Sequence, residues 1–120
     1  MATSAMMMEW GLPIAGREGK AVEVFYAALQ YWGGLQKAGK IESFRYYSSL
    51  SGNFMGRVGL LIVEGTDDQI DRVMKSEEFR VMNANVMAVA QNYGIAAMET
   101  GDRVAAAMTR YGKSVKQILG

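Results

Sequence analysis

The order of the periodic segments predicts an α+β fold: a four-stranded antiparallel sheet in βαββαβ order, with a further helix at the carboxy terminus. Three observations carry the prediction. Apolar residues recur at helical spacing in several long stretches, runs of aliphatic or aromatic residues separate them, and cap and turn residues stand at the junctions. Of the 120 residues, 50% are apolar and 21% charged, which suits one domain over residues 1–120 with enough apolar surface to fill a core.

The first strand is read from Met6 to Ile14, apolar except for Glu9 and Gly11, with regular pairing ending near Pro13 because proline offers no ladder donor. From about Gly19 to Lys37, Val22, Phe25, Leu29 and Trp32 recur at spacings of three and four while Glu23, Gln30 and Lys37 lie elsewhere, which predicts an amphipathic helix. Gly39 then supplies the residue that reaches positive φ without a Cβ clash, so the helix stops there.

Ile41 to Leu50, rich in aromatic and hydroxyl side chains, and the run Arg57 to Val63 read as a hairpin across Ser51-Gly52-Asn53. A turn centred between Gly52 and Asn53 would set Tyr46 opposite Gly59 and Phe44 opposite Leu61. Thr66-Asp67-Asp68-Gln69 matches a capping box and starts a helix through Ile70, Val73 and Met74. Ser76-Glu77-Glu78 is a second cap, ahead of Phe79, Met82, Val86, Val89 and Tyr93, so two helical pieces are expected. Gly94 opens a short strand through Glu99. Thr100-Gly101-Asp102 caps a last helix marked by Val104, Met108 and Tyr111, and the tail from Lys113 adds a helical turn or frays.

This is the split βαβ order of a ferredoxin-like sandwich, whose helices cover one sheet face. The other face should then alternate polar with apolar, and it does not. Leu60 and Ile62 oppose Leu61 and Val63 across the third strand, Tyr47 opposes Phe44 and Tyr46 on the second, and Met6, Met7 and Met8 run consecutively on the first. A bare face of that composition is rare on a monomer, so the sheet predicts a homodimer joined through it.

Composition removes several function classes. The chain has no histidine and no cysteine, so disulfides, thiolate nucleophiles, the usual zinc ligands and the commonest general base are unavailable, and no cofactor or metal is expected. Thirteen Lys and Arg nearly balance twelve Asp and Glu with no block of like charge, so no nucleic-acid or anionic-membrane footprint is present. The run from Arg57 to Ile62 also lacks the aromatic residues with which a ferredoxin-like RNA-binding sheet stacks bases. Leu60-Leu61-Ile62-Val63 is the longest aliphatic run, far short of the ~20 residues of a membrane span, which leads to a cytoplasmic expectation.

On this element order, on Gln36-Lys37-Ala38-Gly39-Lys40-Ile41-Glu42-Ser43-Phe44 joining helix to strand, and on Glu64-Gly65-Thr66 leading into the second long helix, the chain resembles the dimeric α/β-barrel superfamily. The resemblance spans roughly Met6 to Thr100. It implies ferredoxin-like subunits whose sheets press together into one barrel, in a superfamily that includes cofactor-free monooxygenases, isomerases, ligand-binding domains and members without known activity. The histidine that many of the enzymes use is absent.

The first expectation is therefore a small dimeric protein that binds an apolar or aromatic small molecule, or only assembles. The alternative is a cofactor-free monooxygenase or isomerase acting on an aromatic or polyketide-like compound. Catalytic candidates are Tyr47, Arg45 and Glu99: a strand arginine beside a tyrosine suits an anionic or phenolic ligand, although a rim ion pair at a dimer seam is the leading reading of Arg45. Glu9 and Glu99, on strands that neighbour each other in this topology, would raise one another's pKa if they met. Ligand-binding candidates are Trp10, Tyr46 and Trp32, flat side chains suited to a flat substrate, with core packing as the default role.

Overall fold

A computed structural model describes residues 2–120. Four strands, β1 (Ser4–Trp10), β2 (Ser43–Ser48), β3 (Gly59–Gly65) and β4 (Gly94–Glu99), form one open antiparallel sheet in the order β2-β3-β1-β4. Helices α1 (Glu18–Lys37), α2 (Asp67–Lys75) and α3 (Glu77–Val89) supply the crossovers, and α4 (Asp102–Leu119) follows β4. This is the ferredoxin-like α+β arrangement the element order predicts.

Strand alternation divides the sheet cleanly. Met6, Val63 and Phe44 share one row on the helix side, and Met8, Leu61 and Tyr46 the next. There Met6 and Val63 are fully buried, packed with Trp32 of α1, Ile70 and Val73 of α2, and Phe79 and Met82 of α3. On the opposite side one row runs Arg45, Ile62, Met7, Ala96 and the next Tyr47, Leu60, Glu9, Gly94. Among the described residues no helix lies on that side, so Met7, Leu60 and Ile62 stay partly exposed and Tyr47 half exposed.

The junctions follow local chemistry. Helix α1 ends in a Schellman motif: Lys40 N–H donates to Leu35 C=O at 2.9 Å and Gly39 N–H to Gln36 C=O at 3.0 Å, with Gly39 at φ +74°. The capping box at Thr66 forms in full, Gln69 N–H donating to the Thr66 hydroxyl at 3.2 Å while Thr66 N–H donates to Gln69 Oε1 at 2.9 Å. Gln69 Nε2 also donates to Gly39 C=O at 3.1 Å, tying the start of α2 to the end of α1. Ser76 turns extended at ψ 150°, ending α2 and capping α3, so the two helical pieces are separate helices.

Three local expectations need correction. Strand β1 starts at Ser4 and its ladder ends at Trp10, three residues before Pro13, because Gly11 N–H turns away to bond Gln91 C=O at 2.7 Å. The β2–β3 register is displaced by two residues: Tyr46 pairs with Leu61, Phe44 with Val63 and Ser48 with Gly59. A second tight turn between Phe54 and Arg57, closed by reciprocal backbone bonds of 2.6 and 2.9 Å, takes up residues that a single turn would have left to the ladder. The aromatic residue over Gly59 is consequently Trp10 of β1, and a Cβ at Gly59 would sit 2.6 Å from its ring. At α4 the N-cap is Gly101 at φ +64° with no side-chain bond, and the helix continues without fraying to Leu119.

Candidate functional site

A cavity of about 300 Å³ opens between the first half of α1, the face of α3 and the Trp10 end of the sheet. Each wall is set by an element already described. On α1, Ala21 and Ala28 flank Phe25 on one helical face, and their small side chains leave space that larger ones would fill. Trp32, 1% exposed, closes the inner end, while Met8 and Leu61 form the floor. Val22 and Tyr26, both more than half exposed, mark the mouth.

The aromatic rings are ordered edge to face. Trp10 and Phe25 lie 5.9 Å apart at 61°, and Phe25 meets Tyr46 at 5.7 Å and 84°. Polar chemistry in the lining is sparse. The Tyr93 hydroxyl donates to Asn83 Oδ1 at 2.7 Å, and burial pushes its pKa up to about 12, so the phenol stays neutral and fixed. No carboxylate, lysine or arginine lines this cavity among the described residues. Its lining is mostly apolar, with the Tyr26 and Tyr93 hydroxyls and the indole N–H groups of Trp10 and Trp32 as its polar side-chain groups.

Of the residues singled out from sequence, Trp10 and Trp32 line the cavity, and Tyr46 stands behind Phe25 without lining it. Arg45 and Tyr47 lie on the opposite sheet face, exposed on edge strand β2. Glu99 lies on the other edge strand, β4, in the Ser4 row of the helix side, so three inter-strand spacings, about 14 Å, separate its strand from theirs. Within one chain the trio does not converge. Glu9 and Glu99 are not neighbours either: Glu9 pairs with Gly94 and Glu99 with Ser4, at opposite ends of the ladder. Glu9 instead meets Arg57, Oε2 to Nε at 2.5 Å, on the open face.

Phe25, Tyr26 and the two alanines were not anticipated as site residues. Phe25 lay on the core stripe of α1, and the available signal was the pair of alanines beside it on the same face, where a filled core would carry larger side chains. Among the described residues no cluster of three potential metal ligands occurs, and no helix is long and apolar enough to cross a membrane.

Comparison by shape finds the same fold elsewhere. A dimeric ferredoxin-like protein of unknown function from Bacteroides fragilis superposes with a TM-score of 0.61 at 10% identity, covering 82% of this chain and 96% of that one. A dimeric ferredoxin-like protein of unknown function from a Jannaschia species gives 0.61 at 13% identity, covering 82% and 98%. A conserved protein from Methanosarcina mazei gives 0.57 at 9% identity, covering 82% and 94%. At these identities the likeness establishes a ferredoxin-like fold. No protein-family model and no curated protein matches the sequence.

Proposed function

We propose that this chain is a homodimeric binding protein for an apolar or aromatic small molecule, held in the cavity between α1, α3 and the sheet. The observation that carries the reading is the lining itself: Trp10, Phe25 and Trp32 around about 300 Å³ of space with no charged side chain among them. That volume lies at the lower end of the roughly 300–1,000 Å³ of ligand pockets and suits a bicyclic aromatic or a chain of similar bulk. Partnership with a second copy is supported by the apolar residues left on the open face and by the dimeric state of the Bacteroides and Jannaschia proteins. Catalysis on such a molecule would need an acid or base at the site, and the lining supplies only phenols, so binding is the reading favoured over a monooxygenase or isomerase.

Both tryptophans of the chain line the cavity, so its intrinsic fluorescence reports occupancy directly. Titration with 1-bromonaphthalene, a heavy-atom quencher of suitable size, should quench it saturably. Ala28→Phe, which fills the space, should weaken that binding by about tenfold or more while Tyr47→Phe and Arg45→Ala leave it unchanged. Quenching that never saturates, or that is equal in Ala28→Phe, overturns the reading.

A further inference from the structure

The open sheet face carries charge as well as apolar rows. By strand alternation Arg45 of β2, Glu64 of β3 and Glu9 of β1 point to that side, and Arg57 joins them through its ion pair with Glu9. Two arginines balance two glutamates, so this face can lie against its own copy without net repulsion. Glu9 and Arg57 satisfy each other, whereas among the described residues the side chains of Arg45 and Glu64 make no hydrogen bond or ion pair. Arg45 is exposed on an edge strand, but Glu64 is partly buried on a central one, where a carboxylate without a counter-charge is costly once water is excluded.

We infer that Arg45 of each chain pairs with Glu64 of a second copy, in reciprocal ion pairs that set how the two sheets meet. This inference rests on the homodimer reading and adds its geometry. Two identical sheets packed face to face are related by a twofold axis lying between them, and each position meets the one that mirrors it across the line of that axis. Arg45 pairs with Ile62 and Glu64 with Ser43, so the two charges sit diagonally on the face, one strand and two residues apart. With about 4.8 Å between strands and about 6.6 Å between alternate residues, both lie about 7 Å from the sheet's centre, midway between Ile62 and Met7. One axis through that centre therefore exchanges Arg45 with Glu64 and keeps the sheets in full overlap. The same axis sets Ile62 and Met7 against their own counterparts and brings Glu9 over the second copy's Ala96, a small residue that leaves the Glu9–Arg57 pair its room. Glu9 stands at a similar distance from the centre, but Arg57 already occupies it, which leaves Glu64 as the carboxylate for Arg45.

Charge reversal in separate chains tests the contact, read by sedimentation equilibrium, with circular dichroism verifying that each variant folds. Arg45→Glu alone and Glu64→Arg alone should each weaken self-association by about tenfold or more, since the reciprocal contacts then join like charges. An equimolar mixture of the two variants should associate as tightly as the unchanged chain, because each contact of the mixed dimer again joins a carboxylate to a guanidinium. A pair formed within one chain would not recover on mixing. Should Glu64→Arg not fold, Glu64→Gln added to the Arg45→Glu chain removes the facing carboxylate and should regain most of the loss; no recovery there overturns the contact. Arg45→Glu associating as well as the unchanged chain, or a mixture no tighter than its components, overturns the contact and leaves the homodimer reading standing. An unchanged chain that sediments as a monomer overturns both.

Discussion

The two faces of this sheet are built from alternate residues of the same strands, yet they meet different fates. On β1 and β3, Met6 and Val63 are sealed under the helices, while their chain neighbours Met7 and Ile62 point the other way and stay partly exposed. Side-chain chemistry does not account for the difference, because methionine and branched aliphatics occupy both sides. It arises from topology: the crossovers place α1, α2 and α3 on one side of the sheet and, among the described residues, no helix on the other. An apolar sheet face is thus a statement about a partner as much as about a core.

That contrast is open to attack from both sides, and the largest effect belongs to the covered one. Trp32→Ala should lower unfolding free energy by about 3–5 kcal/mol, measured by urea denaturation, since it empties the middle of the packed layer. Ile62→Glu on the open face should leave the far-ultraviolet spectrum intact and weaken self-association about a hundredfold in sedimentation, because its charge would be buried between copies. If Ile62→Glu unfolds the protein as readily as Trp32→Ala, the two faces do not differ in kind.

Tyr93 gives a smaller, pH-dependent handle. Burial raises its folded-state pKa to about 12 against an unfolded value of 10.0. The unfolded chain therefore loses this proton first as pH rises, and stability should fall between pH 10 and about 12, fully present below that window. The share from Tyr93 should be about 1–2 kcal/mol, reduced by the ring's remaining solvation, and Tyr93→Phe should remove that share in urea titrations across the same range, leaving the smaller one of Tyr31, whose pKa burial also raises. Smallest is Thr66→Ala, about 1 kcal/mol from losing the capping box; acting on the subunit alone, it should change stability and leave association untouched. A change in dimer affinity there would show that the covered face and the open one are coupled.

Much of this architecture was written in local residue chemistry. The stop at Gly39, the box at Thr66 and the second cap at Ser76 each follow from one residue's backbone or hydrogen-bonding preference, and all three occur where those preferences place them. Strand parity was legible for the same reason, since Leu60 and Ile62 against Leu61 and Val63 needs only alternation. Register was not, because the turn from Phe54 to Arg57 depends on positive φ at Met55, and a methionine gives no hint of it. The cavity was half legible. Trp10 and Trp32 stood out as aromatic residues, whereas their convergence with Phe25 depends on how α1 crosses the sheet, a tertiary property. Glu99 and the pair Arg45 and Tyr47 lie on opposite edges for a related reason: the βαββαβ order sends β2 and β4 to the outside, and chain proximity says nothing of that distance.

The uncovered face makes its sharpest demand on the mass of the folded particle. Sedimentation equilibrium of the 120-residue chain at low micromolar concentration should return twice its 13.2 kDa mass with native circular dichroism. A well-folded species at the chain mass itself would contradict the account, for the apolar rows of Met7, Leu60 and Ile62 would then stand in water unaided.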